Sequence, residues 1–326
     1  MRLTSRFALL FLLLSAAFLF GCSGSSTSNA GLGSNLVTSI VVSGSNIYAG
    51  TLGAGLAVSS NNGTTWSHFT TASGLASNNI SSVAISGSTI YVGFTTSGIA
   101  ISTNNGTSWT NYTTANGLGS NSVTSIATSG NAVYIGTLSG LSYSANGTAP
   151  FQNYTTSSGL GSNVVTCIAT ASPDVYVGTT NGLAISTTGS PPFTNTTTSS
   201  GLGSNHILSL AVSSPDVYAG TLNGLSISTT GTSPWTNYPL TNSAGENAVQ
   251  AVAVSGSTIY VGNLENAGLA VSTNGGTSFT SYTTSTGLAG NNIDALAATS
   301  TEIYAGTQTG GLSTSTTGGS SWTNYE

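Results

Sequence analysis

The chain reads as an all-β protein: a seven-bladed β-propeller with four antiparallel strands in each blade. Three observations predict this. A tyrosine recurs at Tyr48, Tyr91, Tyr134, Tyr176, Tyr218, Tyr260 and Tyr304, with a glycine two places later each time, from Gly50 to Gly306. A ring residue recurs at Trp66, Trp109, Phe151, Phe193, Trp235, Phe279 and Trp322, and both series step by 42 to 44 residues. A period of this size, with short strand-like runs between glycine-rich turns, is that of propeller blades. The third observation is composition. Only 3% of residues are charged and 38% are hydrophobic, while Ser, Thr, Gly and Asn dominate and the common helix formers are almost missing, which favours strands and tight turns. A solenoid is the alternative, but it needs distinct capping repeats at its ends, and none is visible.

The blades run approximately over 31–73, 74–116, 117–158, 159–200, 201–242, 243–286 and 287–326. The third repeat shows the four strands: Val123 to Ser129, Ala132 to Thr137, Leu141 to Ser144 and Phe151 to Thr156. Its first strand sets large Val123 and Ile126 beside small Ser125 and Ala127, as expected of the innermost strand where blades converge. Cys167 fills one of these small positions and reads as a buried spacer. The glycine of the second strand is expected to let backbone of a neighbouring turn approach. The tyrosine before it reads as inter-blade packing with a hydrogen-bonded hydroxyl. The first repeat opens with a first strand at about Leu36 and the seventh ends with a fourth strand. The ring is therefore expected to close by packing blade seven on blade one, with a weaker seam there.

Ser59-Ser60-Asn61-Asn62-Gly63-Thr64-Thr65-Trp66 links a third strand to a fourth. It resembles the Asp-box hairpin of sialidase-like propellers, with Asn in place of Asp, and Ser102 to Trp109 and Ser272 to Phe279 match similarly. That resemblance implies a folding element whose polar side chain holds backbone amides while the aromatic fills the space between strands. The whole repeat resembles the two-component regulator propeller repeat. It shows Gly117-Leu118-Gly119-Ser120-Asn121, then Tyr134-Ile135-Gly136-Thr137, then Gly140-Leu141. The resemblance covers residues 31–326 and implies a propeller of the kind found as an extracytoplasmic sensor region.

Residues 1–21 read as a signal peptide. Arg2 and Arg6 precede an apolar run from Phe7 to Phe20, too short to span a bilayer comfortably. Leu19-Phe20-Gly21-Cys22 resembles the lipobox of bacterial lipoproteins, which implies lipidation of Cys22. A Gly/Ser-rich tether at 22–30 follows, and Ser23 after the cysteine implies delivery to the outer membrane or cell surface. Loss of the signal removes both basic residues, so the formal charge of −5 becomes −7. A chain without Lys or Arg cannot neutralise phosphates, which argues against nucleic acid. It also lacks the arginine cluster that a sialidase needs. With Cys167 the one other thiol, no internal disulfide is expected.

Departures from the repeat mark the candidate site. His206 enters blade five, Glu246 replaces a lead-in serine in blade six, Glu265 sits in a long link of blade six, and Asp294 lies in the first strand of blade seven. All four map to the face that carries the links between fourth and first strands. Together they form an acidic wedge suited to a cation or a neutral sugar, although scatter among so few acids gives the same picture. Phe94 is a candidate stacking surface on that face. The column Asn35, Asn78, Asn121, Asn163, Asn205, Asn247 and Asn291 either closes turns or rims the channel mouth. No cofactor and no metal centre is expected, since His206, Glu246 and Asp294 lack local ligand spacing. The expected function is a non-catalytic binding or scaffold propeller at the cell envelope, with a neutral glycan or an envelope protein as partner. The alternative is a glycosidase using Glu246 and Asp294.

Overall fold

A computed structural model describes residues 31–240, 247–263 and 267–326. The signal segment, the tether with Cys22, and the candidates Glu246 and Glu265 lie outside the described residues. Within them, 28 strands form seven four-stranded antiparallel sheets, each taking its strands in chain order. Blade one is typical: Val37–Ser43, Asn46–Thr51, Leu56–Ser59 and Ser67–Phe69. The first strands of all seven blades lie innermost and surround one axial cavity.

The fourth strand is shorter than its sequence suggests. In blade three it covers Gln152–Tyr154, followed by a single 3-10 turn over Thr156–Ser158. Thr155 before that turn is extended, and Gly159 ends it in the left-handed region at φ +98. Such short edge strands offer little template for pairing with another chain.

Blades pack through the recurring glycine, with a different contact from the expected one. A Cβ on Gly93 would lie 2.5 Å from Cγ1 of Val123, and one on Gly136 would lie 2.6 Å from Cγ1 of Val165. The partner is thus a β-branched side chain on the next blade's first strand, not turn backbone. The tyrosines beside these glycines are buried. Tyr134 donates its hydroxyl to the Gly189 carbonyl of the next blade at 2.9 Å, whereas Tyr176, Tyr218 and Tyr304 donate to Asp174, Asp216 and Glu302 within their own blades. Burial, and after it those carboxylates, raises the three phenols, with Tyr176 and Tyr218 at about 12.

The hairpins resembling Asp-boxes behave as folding elements. Asn61 Oδ1 accepts from the Thr65 amide at 2.9 Å, Ser59 Oγ accepts from the Gly63 amide at 2.8 Å, and Trp66 is buried beneath. Asn61 also donates through Nδ2 to Thr65 Oγ1 at 2.9 Å, a bond a carboxylate could not make.

The seam between blades seven and one repeats contacts seen at the other junctions. Gly306 meets Val37, as Gly50 meets Ile80. The Gly311 amide donates to Asn35 O at 2.9 Å, as Gly98 donates to Asn121 O at 2.8 Å. Tyr325 packs edge-on against Trp66 at 6.1 Å and donates to Asn62 O at 2.9 Å, where Phe69 packs against Trp109 at 5.7 Å one blade on. The Leu32 amide donates to Glu326 O at 2.8 Å, taking the place of the Leu75 to Thr70 bond. The seam is thus built from the same kinds of non-covalent contact as the other junctions.

Candidate functional site

The site is the axial cavity, and a backbone irregularity shapes it. In every blade the pairing of the first two strands slips between the first and third residues of the innermost strand, for example between Val37 and Ser39 and between Ile293 and Ala295. The residue between them is bulged. A bulge locally re-aims a side chain, and the bulged residues Thr38, Ser81, Thr124, Thr166, Leu208, Gln250 and Asp294 all line the cavity. Its volume is about 630 Å³, within the roughly 300–1,000 Å³ range of small-molecule sites.

The ring of bulged residues divides in two. Blades one to four present hydroxyls. Thr166 donates to Ile207 O at 2.7 Å and Thr38 to Ile80 O at 2.8 Å, in each case the carbonyl of the next blade. Ser81 Oγ and Thr124 Oγ1 are buried without a hydrogen-bond partner. Blades five to seven present Leu208, Gln250 and Asp294. The next position along the strand also differs. Ser39, Ser82 and Ser125 accept from the amides of Val83, Ile126 and Ile168 on the following blades, whereas blades six and seven carry Ala251 and Ala295.

Asp294 is the one carboxylate of the cavity lining among the described residues. Gln308 Nε2 donates to its Oδ1 at 2.9 Å. Burial raises its pKa from 3.8 to about 6, and the Gln308 bond opposes that rise. His206 lines the same cavity, and burial lowers its pKa, which favours the neutral ring. Cys167 also lines it. Burial lifts its thiol to about 12, which suits a spacer and leaves no thiolate nucleophile near neutrality.

The structure therefore brings His206 and Asp294 to one cavity. Phe94 is a correction: it is 0% exposed and packed among Ile80, Val92 and Leu56, so it offers no stacking face. Its place at the end of a second strand turns it into the core between blades. Five members of the asparagine column close turns. Asn121 Oδ1 accepts from the Thr114 amide at 2.8 Å, and Asn78, Asn163, Asn205 and Asn291 repeat the bond. Sequence reasoning missed Gln250, Gln308 and the unpartnered hydroxyls. Tabulating the second residue of each first strand would have exposed them, because that column reads Thr, Ser, Thr, Thr, Leu, Gln, Asp.

Comparison with known proteins adds one finding. The shared feature is the fold. The extracellular domain of a hybrid two-component system of B. thetaiotaomicron superposes with a TM-score of 0.68 at 22% identity, over 88% of this chain and 39% of that one. A second such domain from B. thetaiotaomicron gives 0.69 at 18% identity, over 86% and 39%. The GH74 xyloglucanase of Xanthomonas campestris gives 0.67 at 16% identity, over 89% and 53%. The chain spans about two fifths of the length of these two extracellular domains. No protein-family model matches the chain, and no curated protein sequence does.

Proposed function

We propose that this protein is a non-catalytic, sensor-like binding module. It is exported, held at the bacterial envelope by a lipid on Cys22, and takes a small hydroxylated ligand in its axial cavity. The observation that carries this reading is the axial cavity of about 630 Å³, a space of ligand size whose lining includes the amide residue Gln250 and the carboxylate residue Asp294. Likeness in fold to the extracellular domains of two-component systems supports a sensing role. The uncharged hydroxyl- and amide-rich exterior suits a neutral glycan or an envelope protein as partner.

A glycosidase is the second reading. The GH74 likeness and the raised pKa of Asp294 favour it, since a general acid needs such a shift. Glycoside hydrolysis uses two carboxyl groups about 5 to 9.5 Å apart, and Asp294 is the only carboxylate lining the cavity among the described residues. A glycan array paired with a hydrolysis screen on the whole chain separates the two. Retention without product is the expected result. Release of product from a retained glycan would replace the binding reading with the enzymatic one. Replacement of Cys22 by Ser is expected to move the protein from the membrane to the soluble fraction.

A further inference from the structure

The inner surface of the ring is carbon where its residue types suggest hydroxyls. Thr38 and Thr166 give their hydroxyls to carbonyls of the next blade. Ser81 Oγ, Thr124 Oγ1 and Ser209 Oγ are buried within the wall. All five residues are half-buried, so what they expose to the cavity is carbon and backbone. Two places beyond each bulge stands a branched aliphatic residue that also lines the cavity. In blades one to four it is Ile40, Val83, Ile126 or Ile168, each buried, and blade six has a buried Val252. Blades five and seven instead carry Leu210 and Leu296, both half-exposed. Leu208, also half-exposed, takes the bulge of blade five, where blades one, three and four have Thr.

Three leucines from two blades thus flank blade six, whose bulged residue Gln250 brings an amide that both donates and accepts. Hydrocarbon facing water in such a cavity gains from an apolar cover, in proportion to the area covered. Ligand pockets as a class join an apolar lining to a few placed polar groups. A sugar ring meets this wall poorly, because hydroxyls laid on Leu208, Leu210 and Leu296 would leave water without finding partners. An anion meets it no better, since the chain's two basic residues, Arg2 and Arg6, stand in the N-terminal segment.

We propose that the axial cavity binds a compact, uncharged alcohol, its hydrocarbon body on Leu208, Leu210 and Leu296 and its hydroxyl on Gln250. This rests on the reading of the cavity as a site for a small hydroxylated ligand, and adds to it that the body of the ligand is apolar.

Calorimetric titration of the whole chain at pH 7 with cyclohexanol and myo-inositol tests it. The two share an uncharged six-carbon ring, with a single hydroxyl on the first and one on every carbon of the second. Cyclohexanol is expected to bind at least about tenfold more tightly, because the further hydroxyls of myo-inositol would lose water without gaining partners. Leu208→Thr, which installs the residue that blades one, three and four carry there, is expected to weaken cyclohexanol several-fold. Gln250→Thr is expected to do the same by removing the amide. Thr124→Val, which exchanges a buried hydroxyl for a methyl of the same shape, is expected to leave the affinity unchanged. Melting curves check the fold of each variant. Equal or tighter binding of myo-inositol would overturn the apolar assignment and leave the binding module standing. Cyclohexanol binding that neither Leu208→Thr nor Gln250→Thr weakens, or that Thr124→Val abolishes in a folded chain, would overturn it too. Absence of binding by both probes would sink this proposal, while a positive glycan array would still uphold the broader reading.

Discussion

Asp294→Asn separates the cost of a buried charge from the value of its hydrogen bond. The folded carboxyl titrates at about 6 instead of 3.8, so the fold favours the protonated form. Below the lower value both folded and unfolded chains hold the proton, and there is no penalty. Between the two values the unfolded chain ionises first, and stability is lost as pH rises. Above about pH 6 the loss is complete. Each pH unit of difference corresponds to about 1.4 kcal/mol, which sets an upper limit of about 3 kcal/mol. The side chain is only half-buried at the cavity wall, and screening there reduces the figure to about 2 kcal/mol. Asparagine cannot ionise, and its side-chain oxygen still accepts from Gln308. The variant should therefore match wild type at pH 4 and exceed it by about 2 kcal/mol at pH 8, or about 4 °C in Tm for a chain of this size. Melting curves in amine-free buffers at pH 4, 6 and 8 measure this. The titration of His206 is common to both proteins and cancels in the difference. A gap that is the same at every pH, or a variant less stable at pH 8, would refute the assignment of the charge to Asp294.

Five further outcomes follow from the packing. Gly93→Ala should cost about 1–3 kcal/mol in urea unfolding because its Cβ would press on Val123. Gly130→Ala, with φ +59 and nothing within 4 Å, should cost about 1 kcal/mol from backbone strain alone. Asn121→Ala should cost about 1 kcal/mol by leaving the Thr114 amide unpaired, whereas Asn121→Asp should hold most of it. In a Cys22→Ser chain, Cys167 should resist iodoacetamide at pH 8 until denaturant is added, because burial keeps its thiol protonated. Tyr325→Ala and Phe69→Ala should each cost about 2 kcal/mol, and near-equal losses would show that the seam matches an ordinary blade junction.

Much of the fold was legible because seven copies average away local ambiguity. The tyrosine, glycine and ring columns each mark one contact, and repetition makes the contact readable without its neighbours. The asparagine column was equally legible as a turn device, since a short amide side chain reaches its own turn in any context. The site was less legible. Large residues at Val123 and Ile126, three apart on one strand, conflict with strict alternation, and a sequence reading has no means of placing the slip. The structure places it at the residue between Val123 and Ser125, which sends Thr124 to the axis. Phe94 shows the reverse error. An aromatic replacing a threonine at a strand end looks like a surface until the next blade closes over it.

The period, the composition and the two N-terminal arginines belong to the primary chain, because they depend on counting residues. Blade number and strand order follow from the same count. Which side chains share the cavity does not. Asp294 and Gln308 meet through the pairing of two strands, and Asp294 and Thr124 share one space only because the ring closes. Closure brings together residues far apart in the chain, so the chemistry at the axis is a property of the assembled ring.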